Sequence, residues 1–128
     1  MPDGRIVHIN ALEEGTKVKM PAELVFELRD KIGEIGKGGN EGIGIALARI
    51  VNAEPHWHEH THEYYYVVSG RGVAHVDDDR ISLKAHDWLE IPLKAVHRVE
   101  SRLGIYVLAI TSPPWSKEDH HPASEKRR

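Results

Sequence analysis

The chain has 128 residues, 40% hydrophobic and 29% charged, a globular balance at a length that buries a core without covalent staples. It has no cysteine, which excludes disulfides, thiolate metal sites and cysteine nucleophiles. A formal net charge of −3 with scattered basic residues gives no footprint for nucleic acid, and no apolar run approaches the ~20 residues of a membrane span.

One domain over 1–128 is the expectation at this length. The opening, Met1 to Arg5, lacks the basic and apolar regions of a secretory signal, so a cytoplasmic location is expected. Ala22 to Ile32 carries Leu24, Val25, Leu28 and Ile32 at helical spacing, yet Leu24 to Phe26 reads equally well as a short strand. Gly36 to Gly44 holds five glycines and feeds an apolar, β-branched strand over Ile43 to Val51. A phosphate cradle would need a helix after that loop, so a flexible lid or interface arm is the better reading.

Strand then follows strand, punctuated by Pro55, Ser69-Gly70, Asp77 to Asp79, Pro92 and Pro113-Pro114. Tyr64 to Val68, Gly72 to Val76, Trp88 to Ile91 and Gly104 to Thr111 are the clearest members. Such spacing indicates an all-β barrel or sandwich. Asp77 to Asp79 reads as a solvated hairpin turn, since it lacks the spacing of a calcium loop. The stretch 116–128 is polar and aperiodic, and a loose tail is expected unless a partner subunit holds it.

Ten histidines are present, and histidine is the commonest metal ligand. Alternate residues of a strand share a face, so His56 and His58 point the same way. Glu63 lies an odd number of residues beyond His58 and joins them only if the chain turns at Glu59 to His62. A new strand then turns Glu63, Tyr65 and Val67 inward and Tyr64, Tyr66 and Val68 outward. A third imidazole from a distant strand would complete a site for a first-row transition metal.

The run His56, His58, Glu63 and Gly70, with its spacing, resembles the first motif of the cupin superfamily. His86 to His97, with Pro92 between them, resembles the second. His86 and Lys94 stand where the family usually has glycine, and Ser101 where it often has asparagine. The resemblance covers about 43–111. It implies a cupin barrel (a double-stranded β-helix, or jelly roll) with its core at about 43–114 and a short N-terminal segment. It further implies one divalent ion per chain, manganese, iron, nickel, zinc or copper, held by His56, His58, Glu63 and His97.

Three imidazoles and a carboxylate leave coordination positions open, as in catalytic sites. The expected function is a metalloenzyme of isomerase, lyase or dioxygenase type acting on a small oxygenated molecule. The alternative is a non-catalytic cupin that binds or senses a small ligand or metal. Turnover by proton transfer needs a further titratable group, for which His60, Tyr65 and His75 are the pocket candidates. His60 and His62 otherwise fall to turn and rim, and His8, His86, His120 and His121 to background. A homodimer is expected, formed through the segment up to Phe26 and the tail after Pro114, because small barrels have edges to cover.

Overall fold

The structure is a computed structural model that describes residues 6–20, 23–28 and 42–126. Ile32 and most of the glycine-rich stretch, through position 41, lie outside the described residues. One turn of helix, α1 (Ala11–Glu14), starts where the Asn10 side chain accepts the backbone N–H groups of Leu12 and Glu13, the N-cap role for which asparagine is favoured. Among the described residues no helix is long and apolar enough to cross a membrane.

Among the described residues ten antiparallel strands follow: β1 (Thr16–Met20), β2 (Glu23–Glu27), β3 (Gly44–Asn52), β4 (His56–Trp57), β5 (His62–Ser69), β6 (Arg71–Val76), β7 (Asp79–Lys84), β8 (Trp88–Ile91), β9 (His97–Ser112) and β10 (His121–Pro122). The ambiguous segment after Ala22 is strand rather than helix. Phe26 is buried there, and β2 is hydrogen-bonded on both edges, to β1 and β3. Tertiary pairing overrides a helical spacing that four apolar residues only suggest.

β9 organises the molecule. Its second half pairs with β3 and β5, and its first half with β6 and β4. One strand therefore joins the two halves of a single continuous sheet, which curls about a core that includes Ile50, Val67, Val99, Ile105 and Val107. This is the expected all-β barrel. β9 starts earlier than the apolar run at Gly104 suggests, because His97, Val99 and Ser101 alternate inward between outward Arg98, Glu100 and Arg102. Ser101 Oγ donates to Arg71 O at 2.5 Å and accepts Gly104 N–H at 3.1 Å, tying the bend between the halves.

Turns follow the sequence closely. Gly70 joins β5 to β6 at φ +90°, and a Cβ there would lie 2.7 Å from Gly104 O, so no other residue fits without a shift. His86 and Lys94, at positions where glycine was expected from the resemblance, have φ of 77° and 68°. They keep the left-handed backbone without the residue that adopts it freely. His86 Nδ1 lies 2.7 Å from the Tyr66 hydroxyl, while the backbone N–H of Lys94 donates to His58 O at 3.1 Å.

The expectation of a loose C-terminal tail is overturned. Residues 116–126 fold back on the barrel through two 3₁₀ turns and β10, which pairs with β4. His121 stacks on Trp57 at 4.5 Å, Lys126 lies 4.8 Å over the same ring, and Asp119 is buried. The polarity of the tail is used: the Asp119 carboxylate accepts the backbone amides of residues 59–61 and its carbonyl accepts the His58 ring N–H, which hydropathy does not register.

The left-handed conformation at Lys94 has a direct consequence. Such a residue carries a strain of about 1–2 kcal/mol that glycine does not, partly offset by the greater flexibility of glycine in the unfolded chain. The ion pair of Lys94 with Glu59 is exposed, at 3.6 Å, and of little weight. Lys94→Gly should leave urea stability equal or raise it by up to about 1 kcal/mol, whereas β-branched Lys94→Val should lower it by about 1–2 kcal/mol.

Candidate metal centre

His56 on β4 pairs directly with His97 at the start of β9, so two ligand-type side chains leave neighbouring strands at the same level. The chain bends at Glu59 and His60, and Glu63 enters on β5. Parity beyond the bend is as expected. Glu63, Tyr65 and Val67 are buried, while Tyr64 stacks on half-exposed Trp88 outside at 5.9 Å. His56, His58, Glu63 and His97 are all buried, and each offers a ligand-type atom within 4.8 Å of the others.

The orientation of the three rings is fixed from behind. Nδ1 of His56 lies 2.8 Å from Glu54 O, that of His58 2.8 Å from Asp119 O, and that of His97 3.0 Å from Ala95 O. A carbonyl only accepts, so each Nδ1 carries a proton, and a neutral ring then presents an Nε2 lone pair. Nε2 of His58 and of His97 lie 2.8 and 2.7 Å from Glu63 Oε1. Tyr65 donates its hydroxyl to Oε2 of the same carboxylate at 3.3 Å.

Nitrogen lone pairs and a carboxylate converging out of water repel unless a cation lies among them. His58 Nε2 is buried and faces Glu63 Oε1 at 2.8 Å without hydrogen-bond alignment, a contact that only a proton or a cation between the two atoms satisfies. The donor set is three nitrogens and a carboxylate oxygen, suited to first-row divalent metals. The cluster fits a metal site.

The electrostatics of the metal-free cluster agree. Burial, reinforced by His97, pushes His56 down to about 3. Burial pulls His58 down as well, but the Glu63 carboxylate and Asp119 outweigh it and hold the ring above its usual value. Burial alone would raise Glu63, yet His58 and His97 hold it well below the usual carboxylate range. The carboxylate stays charged, and only protons or a metal can balance it.

Above the cluster lies a partly open cavity with about 660 Å³ of empty space, its mouth included, an upper bound that limits an occupant to a small molecule. Val18, Met20, Val25, Ala46 and Ala109 give it apolar walls. Tyr65 lines it, buried and bonded to Glu63. His60 is exposed on the bend. His75 points away from the core neighbours Ala74 and Val76 and lies 2.8 Å from Glu100 Oε1. Of the three pocket candidates, only Tyr65 is brought to the cavity.

Three other residues have positions that sequence reasoning did not find. Glu23 lines the cavity from β2, and burial, with Glu63 nearby, raises its carboxyl to about 7. His120, read as background, stacks on His56 at 4.3 Å and 15°. Burial, with His58, lowers its pKa to about 4. Asp119 holds the bend. Its Oδ1 accepts Glu59 N–H at 2.8 Å, and its Oδ2 accepts His60 and Thr61 N–H, each at 3.0 Å. Burial would raise the Asp119 pKa, but those amides outweigh it and keep the carboxyl below its usual value. The signal available was the acid-histidine run Asp119 to His121, which has no fixed spacing to the motif.

Comparison with known proteins points the same way. The family model described as "Cupin domain" matches residues 51–104. An uncharacterized protein of Aquifex aeolicus is 36% identical over 109 residues, covering 80% of this chain and 89% of the relative. Streptomyces Pac13, described as a nucleoside dehydratase, superposes with a TM-score of 0.68 at 14% identity, over 91% of this chain and 90% of that one. Bacillus subtilis oxalate decarboxylase, described as having Mn(II) centers, gives a TM-score of 0.68 at 21% identity over 88% of this chain, but 31% of its own. At those identities the two structures establish the fold alone.

Two measurements probe this geometry in the metal-free protein. Asp119→Ala strands three amides of the bend and should lower stability in urea by about 2–4 kcal/mol. Glu23 is a carboxyl raised in the folded state, so the native protein holds a proton that the unfolded chain releases. Its stabilising contribution is complete below about pH 4.5 and is lost as pH rises through about 7. Stability against pH should therefore decline over that window, and Glu23→Gln should flatten the decline.

Proposed function

The chain belongs to the cupin family, and from that membership and the buried His56, His58, Glu63 and His97 cluster we propose that it is a metal-dependent enzyme. It acts on a small oxygenated organic molecule, by isomerase, lyase or dioxygenase-type chemistry. The observation that carries the metal is the set of three imidazoles whose Nδ1 groups are held by carbonyls while the buried Nε2 atoms of His58 and His97 close on one oxygen of Glu63. Manganese, iron, nickel, zinc and copper all suit the donor set, one ion per chain. When bound, such an ion supplies Lewis acidity or redox capacity at the open side of the site.

The remaining work belongs to the protein. Tyr65 fixes the Glu63 carboxylate, and the apolar walls limit water around the occupant. Glu23, a carboxyl that lines the cavity with Glu63 and His56, supplies the second titratable group that proton transfer requires. That group favours turnover over the non-catalytic binding or sensing alternative. Metal centres and dehydratase chemistry among the structural neighbours are consistent with this reading.

Metal analysis and calorimetry test the proposal. The purified protein should take up one metal per chain, and chelation should lower its Tm, because a ligand specific to the folded state stabilises it by mass action. Alanine at His56, His58 or His97 should abolish or severely weaken uptake, and Glu63→Ala should weaken it less uniformly. His60→Ala and His62→Ala should leave stoichiometry intact. A metal-free Tm that ignores all five metals would sink the metal reading. For turnover, the loaded protein incubated in D₂O with a panel of small hydroxy- and keto-acids should give NMR changes that Glu23→Gln loses.

A further inference from the structure

His120 is the fourth imidazole near the cluster, yet its chemistry is the reverse of the other three. Trp115 Nε1, which can only donate, lies 3.1 Å from His120 Nδ1, so Nδ1 accepts and the proton of the neutral ring sits on Nε2. His120 does not belong to the group whose ligand atoms converge within 4.8 Å. Its ring is held against His56 by stacking, at 4.3 Å, and sits 5.4 Å from the His58 ring. It lines the cavity with Glu63, His56 and Tyr65, and among the described residues no bond of its Nε2 is found.

From this geometry we infer that His120 is a ligand-recognition residue whose Nε2–H donates a hydrogen bond to an anionic oxygen of the small molecule held in the cavity. The inference rests on the metal-site reading above. The chemical class of ligand follows from the lining. An ion held by the three lone-pair imidazoles would favour an oxygen anion. A single fixed N–H beside them selects a ligand with an oxygen acceptor, such as a carboxylate, enolate or hydroxamate, over one that binds through nitrogen. The rest of the lining is largely apolar and bounds a small organic body.

The tail makes this possible. The backbone N–H of His120 bonds Lys117 O at 3.2 Å, and the preceding residue, Asp119, is pinned to the 59–61 bend by its carboxylate and to His58 by its carbonyl. The same short turn that orients a metal-type imidazole thus carries the donor. An N–H so fixed loses little entropy when the ligand arrives.

The probes are acetohydroxamate, an oxygen chelator, and imidazole, a nitrogen ligand, titrated against the cobalt-loaded protein by visible absorption. His120→Phe keeps a ring against His56 and removes the donor, while His120→Asn restores a side-chain N–H. Expected is one cobalt per chain in all three proteins. Acetohydroxamate should bind His120→Phe about tenfold or more weakly, the loss typical of a hydrogen bond to a charged group, with partial recovery in His120→Asn. Imidazole affinity should change less than about threefold, the scale of a neutral contact. Equal acetohydroxamate affinity in wild type and His120→Phe overturns the inference alone. Loss of cobalt from His120→Phe overturns it too, by making His120 a ligand or a support of the site. A wild type that takes up no cobalt overturns this inference, and one that also ignores all five metals overturns the metal reading with it.

Discussion

Three imidazole Nε2 atoms and one carboxylate turned toward a single buried point form an arrangement that isolated side chains would not choose, and much of the molecule is arranged to impose it. Three backbone carbonyls, of Glu54, Ala95 and Asp119, each accept a hydrogen bond from an Nδ1–H. Tyr65 takes one carboxylate oxygen, and the other faces His58 and His97. Each contact is ordinary, but together they leave the unsatisfied capacity at the centre. The adjacent starts of β4 and β9 and the inward face of β5 bring the four residues there.

The C-terminal segment contributes more than cover. Asp119 closes the bend between His58 and Glu63 by accepting three consecutive amides, which allows the chain to reverse parity within a few residues. Without that bend, Glu63 would project from the opposite face to His58. Its carbonyl then orients His58, and the next residue places an imidazole of opposite tautomer against His56. A polar terminus is thus coupled to the electrostatics of the centre.

Strain and substitution follow the same logic on the outer loops. His86 and Lys94 retain the left-handed backbone of family glycines, and their neighbours hold them there: the Tyr66 hydroxyl at His86, and the carbonyl of His58 at the Lys94 amide. The carbonyl of Lys94 is in turn bonded by the Lys126 ammonium. The loop before His97 is therefore tied both to the metal-type residue His58 and to the tail. At both positions the backbone takes the positive φ that glycine adopts freely, and the four ligand-type residues converge with these residues in place.

Sequence by itself determined the β architecture and the four residues at the centre. His56, His58 and Glu63 are close in the chain, so strand parity and one bend relate them locally, and turn residues mark the strand ends. His97 was legible only through the resemblance of its segment to a known motif. Tertiary structure decided the rest. Whether Leu24 to Phe26 formed strand or helix depended on β1 and β3 being available on either side, which no local pattern encodes. Glu23, Asp119 and His120 reach the site from the two ends of the chain, and Asp119 bonds residues 58 to 60 positions away. Hydropathy classed that tail as solvent-exposed because it scores side chains singly, whereas burial of a carboxylate depends on the amides that meet it, and those are set only when the barrel closes.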